Sequence, residues 1–160
     1  MNGIKSVLLD CSFCIRLLKR DDEFHENCVE YFKYFTDNHI EMYLSTIVVS
    51  EYSVGDDAEN LLSLNSFRLL EFDYLDAKFS GQFLALLKDI GKFGDFGERK
   101  VVINDIKLFA QIYNREIDAY ITKDRKSFKK MIEPLKDEFN LKFEVIDLTI
   151  PLSSRLGLLF

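Results

Sequence analysis

Four acidic residues far apart in the chain, Asp10, Glu51, Asp105 and Asp124, fall where a parallel α/β fold would present them at one rim. Asp10 directly follows a short, mostly apolar run, Ile4 to Leu9. Asp124 lies three residues past another, Ala119 to Ile121. Glu51 sits in the second turn of the helix expected after a strand at Glu41 to Leu44, and Asp105 near the start of the helix leading into the Ala119 run. Ligands of open parallel sheets bind in the crevice at the carboxyl ends of the strands. Carboxylates gathered there repel and raise one another's pKa values. A hard divalent cation relieves that repulsion, and Mg²⁺ or Mn²⁺ favours oxygen ligands while keeping positions for water and phosphate oxygens.

Each acid also has a plainer reading. Asp10 and Asp124 can cap the helices that follow them, Glu51 can be an exposed helix residue, and Asp105 can be a favourable charge in a first helical turn. The combination favours a site. Asp105 follows Asn104 on a helix with strongly apolar neighbours, and Glu51 follows a Val-Val-Ser run expected to be largely buried. Buried acids need partners or a metal.

The elements that must carry these residues alternate between strand and helix patterns. Strands are expected at Ile4–Leu9, Glu41–Leu44, Phe67–Phe72, Ala119–Ile121 and Phe143–Ile146. Helices are expected from Ser12 to Leu18, from about Glu23 to Thr36, after Ser45 or Thr46, from Asp56 or Asp57 to Leu64, and after Asp73. The last of these carries a stripe of Leu75, Phe79, Phe83, Leu86 and Ile90, closed by Gly91. Two more are expected at about Val101–Asn114 and at Arg125–Lys136, where Pro134 should end or bend the helix. The pattern implies a three-layer α/β/α sandwich around a central parallel five-stranded sheet, with residues 1–160 forming one domain and an extension from about 148. The Lys92–Gly97 loop lacks the P-loop lysine and hydroxyl residue and reads as a connector.

Composition narrows the function classes. The chain has 160 residues, 48% of them apolar, and a formal net charge of -6, which argues against holding nucleic acid by a general excess of positive charge. A local basic rim remains compatible with that balance. No apolar run is long enough for a membrane span, and the amino terminus has no signal-peptide pattern, so a cytoplasmic protein is expected. Cys11 and Cys14 form a C-x-x-C, but Cys28, His25 and His39 do not complete a regular zinc spacing; small buried thiols are the favoured reading.

The ordered set Val7-Leu-Leu-Asp10-Cys-Ser12, Ser45-Thr-Ile-Val-Val-Ser-Glu51, Asn104-Asp105 with Ala110, and Ala119-Tyr-Ile-Thr-Lys-Asp124 resembles the PIN-domain family in order and spacing, from residue 4 to about 147. That resemblance implies an endoribonuclease acting on single-stranded RNA with Mg²⁺ or Mn²⁺, leaving a 5′-phosphate and a 3′-hydroxyl. It maps the family's acidic quartet onto Asp10, Glu51, Asp105 and Asp124, with Asp10 and Asp105 as central ligands. Ser12 and Thr122 fall at the family's hydroxyl positions, where they would hold carboxylates or water by hydrogen bonds. Many small bacterial members are VapC-type toxins, held inactive by an antitoxin protein and commonly dimeric, so an antitoxin and a second copy of the chain are implied partners. Departures are Cys11, where threonine or serine is common, Lys126 in place of a frequent extra acid, and the ending Pro151 to Phe160.

Lys123, Arg125, Lys126, Lys129 and Lys130 follow the site in sequence and are candidates to hold an RNA backbone, the alternative being a solvated helix face. A receiver module would place its phosphoacceptor at Asp73, but the chain lacks the acidic pair after the first strand and the lysine after the fifth. The remaining alternative is a catalytically inactive PIN-like module that binds RNA or protein.

Overall fold

The fold is built by strands whose burial matches their place in the sheet. The computed structural model describes residues 3–91 and 99–157, with the side chains of residues 99–101, 126, 127, 129 and 130 outside the described set. Five strands, β1 (Ser6–Leu9), β2 (Glu41–Ser45), β3 (Phe67–Leu70), β4 (Ala119–Thr122) and β5 (Glu144–Asp147), form one all-parallel sheet in the order β3-β2-β1-β4-β5. A strand covered on both faces must be apolar along its length. Every residue of β4 is buried, as are Val7, Leu8 and Leu9 of β1, whereas the edge strand β3 exposes Arg68 and Leu69.

The helices are α1 (Cys11–Leu18), α2 (His25–Asp37), α3 (Thr46–Tyr52), α4 (Ala58–Leu62), α5 (Tyr74–Asp89), α6 (Arg99–Arg115), α7 (Arg125–Phe139) and α8 (Leu152–Arg155). The chain steps outward from β1 to β2 and β3, then returns past β1 to β4 and β5. Right-handed crossovers therefore place α1 to α4 on one face and α5 to α7 on the other. This is the three-layer PIN-like sandwich expected from the sequence. The reversal of direction between β1 and β4 creates a crevice at their carboxyl ends.

Local signals act largely as read. Ser45 accepts from Ile47 N at 3.1 Å and caps α3, and Asp57 accepts from Glu59 N at 3.1 Å and caps α4. Asp73 and Asp76 form a reciprocal capping box at the start of α5, and Gly91 follows that helix with a left-handed φ of 70°.

Two expectations need correction. The α5 stripe holds at its centre, where Phe83 is buried and Phe79 and Leu86 pack against the core, but its ends Leu75 and Ile90 are exposed and Asp76, Ser80 and Leu87 take buried positions. Asp76 can face inward because Asn114 Nδ2 donates to it at 2.7 Å and Arg115 Nη1 at 3.1 Å. Pro134 lies inside α7, which continues to Phe139. The lost backbone hydrogen bond costs about 3 kcal/mol. Met131, Ile132 and Leu135, all buried within one turn of the proline, hold the helix in place.

The segment after β5 packs back on the core. Leu148 is fully buried, Tyr31 OH donates to Ile150 O at 2.9 Å, α8 lies against α2, and Arg155 pairs with Glu144. The Lys92–Gly97 loop lies outside the described residues. Among the described residues, no helix is long and apolar enough to cross a membrane.

Candidate active site

The crevice between β1 and β4 opens into a cleft of about 580 Å³ whose walls include Asp10, Ser12, Glu51, Asp105, Thr122 and Asp124. The four acids proposed from sequence, carried by the end of β1, by α3, by α6 and by the loop after β4, thus line one cavity.

Asp10 combines the capping role with a place in the cleft. Its backbone N–H continues the sheet by donating to Ile121 O at 3.1 Å, and its side chain caps α1 through Ser12 N at 3.3 Å. The same oxygen, Oδ2, accepts from the Ser12 hydroxyl and from Thr122 Oγ1 at 2.9 Å. Oδ1 accepts from Tyr120 OH at 3.0 Å. Ser12 Oγ in turn accepts from Lys123 N at 3.1 Å, and Thr122 Oγ1 from Asp124 N at 3.2 Å. The two hydroxyls therefore tie the start of α1 to the loop that carries Asp124.

Glu51 and Asp105 come from α3 and α6, which a buried polar link holds in register. Ser45 Oγ donates to Gln111 Oε1 at 2.6 Å, and Gln111 Nε2 donates to Glu71 O at 3.2 Å, joining the ends of β2 and β3 to α6. Two turns earlier on that helix, Asn104 Nδ2 donates to Glu51 Oε1 at 2.7 Å. Glu51 is half-buried, not an exposed helix residue, and Asp105 lies beyond the first turn of α6, so neither plain reading holds for this pair.

The electrostatics are those of crowded carboxylates. Burial, followed by the charges of Asp10, Glu51 and Asp124, pushes Asp105 up to about 8. Glu51 is raised by burial and by Asp10, against the lowering effect of the Asn104 amide. Burial and the neighbouring carboxylates hold the Tyr120 phenol well above the tyrosine range, so it stays a donor.

Among the described residues, no three His, Cys, Asp or Glu side chains are drawn together tightly enough to form a ready-made cation cage. The chemistry of the cleft still suits a hard cation. Its donors are carboxylate oxygens, and one carboxyl, that of Asp105, is raised to about 8 by burial and by the other three. The thiol on the same wall, Cys11, is pushed up to about 12 by burial and by Asp10 and Glu51, which disfavours the thiolate that a soft metal needs. Cys14 and Cys28 are buried free thiols, as expected.

The basic residues sort differently from their sequence order. Lys123 lines the cleft, with Nζ 4.9 Å from the Phe24 ring centre and 3.7 Å from Glu23 Oε1. Arg125 lines a separate groove of about 430 Å³ between α7 and β5, shared with Lys136 and Arg155. The side chains of Lys126, Lys129 and Lys130 lie outside the described set. The cation missed in the sequence is Arg16. It lines the cleft, with Nη1 donating to Ser12 O at 2.8 Å and Nε 3.4 Å from Asp22 Oδ1. Its spacing of four from Ser12 puts both on one face of α1, which is the signal that could have revealed it. Tyr120 was also missed, although it lies two residues before Thr122 and so shares that residue's side of β4.

No family model and no curated protein matches this sequence. Solved structures do resemble it. VapBC2 from Rickettsia felis bound to a DNA fragment from their promoter aligns with a TM-score of 0.63 at 17% identity, over 89% of this chain and 99% of that one. FitAcB from Neisseria gonorrhoeae aligns with a TM-score of 0.61 at 19% identity, over 90% of this chain and 99% of that one. DNA-bound VapBC from Salmonella typhimurium gives 0.61 at 18%, over 91% and 99%. At these identities the likeness establishes the fold.

Proposed function

We propose that this chain is a metal-dependent endoribonuclease of the PIN type that cleaves phosphodiester bonds of single-stranded RNA, acting as the VapC-like toxin of a toxin–antitoxin pair. One observation carries the reading: acids remote in sequence, Asp10, Glu51, Asp105 and Asp124, line a single cleft at the point where the strand order reverses. The likeness to VapBC and FitAcB assemblies supports a protein partner, and the implied second copy of the chain belongs to the same reading.

Asp10 and Asp105 would hold Mg²⁺ or Mn²⁺ centrally, with Asp124 and Glu51 completing the donor set. A bound divalent cation supplies charge neutralisation at the scissile phosphate and lowers the pKa of water. Ser12 and Thr122 hold one oxygen of Asp10, Oδ2, and Asn104 holds Glu51. Arg16 and Lys123, the cations on the cleft wall, would hold non-bridging oxygens of the RNA backbone. In the reaction, water oxygen bonds to phosphorus as the P–O3′ bond breaks, leaving a 5′-phosphate and a 3′-hydroxyl.

The test is cleavage of single-stranded RNA by purified protein with Mn²⁺, beside an EDTA control and Asp10→Asn. Activity lost in both controls supports the proposal. Protein that binds the RNA without cutting it under any condition is instead a binding module, and cleavage that survives both controls refutes the assigned site.

A further inference from the structure

The hydrogen bonds around Asp10 are unevenly divided between its two oxygens. An ionised carboxylate has about four acceptor positions, two on each oxygen. Oδ2 accepts from Ser12 N at 3.3 Å, from the Ser12 hydroxyl and from Thr122 Oγ1 at 2.9 Å, so its positions are filled. Oδ1 accepts only from Tyr120 OH, at 3.0 Å, among the described residues. One acceptor position on Oδ1 therefore stays open on a carboxylate that is otherwise fully directed.

Tyr120 is well built to set that direction. It is fully buried in β4, paired with Leu8 of β1, and its ring packs edge-on against Phe109 of α6 at 5.9 Å and Phe128 of α7 at 5.3 Å, which also touch each other. The phenol cannot swing without disturbing the core between the sheet and these two helices. The donors to Oδ2 come from Ser12 and Thr122, which line the cleft, whereas the donor to Oδ1 is a phenol anchored in the aromatic core. Donors on both oxygens fix the plane of a carboxylate; donors on one leave it free to rotate.

We propose that Tyr120 is the positioning residue for Asp10. Its hydroxyl holds the carboxylate plane and leaves Oδ1 as the oxygen that Asp10 offers to a divalent cation. The proposal rests on the reading of the cleft as a cation site. Tyr120 touches neither RNA nor the reacting atoms; it acts through Asp10.

The experiment is a calorimetric titration of Mn²⁺ alone into wild-type protein, Tyr120→Phe and Phe109→Leu, with urea unfolding of each in EDTA. Tyr120→Phe keeps the ring and removes one oxygen, whereas Phe109→Leu loosens the packing around the ring and keeps the hydroxyl. The expected result is Mn²⁺ affinity about tenfold weaker in Tyr120→Phe, in line with losses when an outer partner of a metal ligand is removed. Phe109→Leu should lose stability, yet lose clearly less affinity than Tyr120→Phe because the hydroxyl is kept. Unchanged or tighter binding by Tyr120→Phe overturns the proposal, as does an equal loss in Phe109→Leu, which would assign the effect to packing. A wild-type protein that takes up no Mn²⁺ overturns the cation reading itself, and the role of Tyr120 with it.

Discussion

Asp105 makes the metal-free protein sensitive to pH in an unusual direction. Its carboxyl moves from an ordinary value of 3.8 to about 8 on folding, through burial and then through Asp10, Glu51 and Asp124. Between those values the folded state binds more protons than the unfolded state, so stability is highest at low pH and falls as pH rises through the folded value. Asp105→Asn cannot ionise and escapes that loss. From the two pKa values, the mutant's advantage is about 2 kcal/mol at pH 5 and about 6 kcal/mol at pH 9, a growth of about 4 kcal/mol. These are upper figures, since water entering the open cleft screens the charges. At about 2–4 °C per kcal/mol for a chain of this size, the gap between the melting curves widens by on the order of 10 °C. The assay is thermal and urea unfolding of both proteins in EDTA from pH 5 to 9. Parallel stability profiles, or a mutant whose advantage shrinks with pH, would refute the claim that burial and the other carboxylates raise Asp105.

Other outcomes follow from the same geometry. Asn104→Ala removes the one group that lowers the Glu51 pKa, so Glu51 stays protonated to higher pH and the onset of Mn²⁺ binding, followed by calorimetry across pH, should move to the alkaline side. Asp76→Ala strips the buried partner of Arg115 and Asn114 and half of the α5 capping box; chemical denaturation should show a loss of about 3 kcal/mol. Because Asp76 lies outside the cleft lining, Mn²⁺ affinity of the folded mutant should stay at the wild-type level.

The sequence exposes what depends on strand ends and hides what depends on packing between helices. Asp10 and Asp124 could be placed because each closely follows an apolar run, and a parallel sheet points every such end the same way. Asp105 and Glu51 could be placed only as a set, because their convergence depends on the buried Ser45–Gln111 link, which joins residues 66 positions apart. Only the ends of the α5 stripe, Leu75 and Ile90, failed, for a related reason. Periodicity counts apolar residues, and here Asp76 and Ser80 face inward because Arg115 and Asn114 meet Asp76 from another helix. Pro134 does not end α7, one of the two outcomes expected there, because the burial of Met131, Ile132 and Leu135 outweighs the backbone cost. Arg16 and Tyr120 were passed over for opposite reasons. A lone arginine on a short helix looks solvated, and a tyrosine inside an apolar strand looks like core, yet their polar ends reach the cleft or its first acid.

A contrast among the acids of this chain separates scaffold from site. Asp118, at the opposite end of β4, has its Oδ2 met by Lys5 N at 2.8 Å, Ser6 N at 3.0 Å and Ser6 Oγ at 3.1 Å. Asp76, fully buried, is met by an amide and a guanidinium. In both cases the protein supplies the compensation that a carboxylate away from water requires. Asp105 receives no hydrogen bond from any described residue, and its nearest electrostatic company is three more carboxylates. A fold able to satisfy Asp118 and Asp76 so completely has left Asp105 to be neutralised from outside, by a proton near neutral pH or by a cation. The two are alternative occupants of one electrostatic position. Uptake of the cation therefore displaces the proton, and below a pH of about 8 its affinity should rise as pH rises.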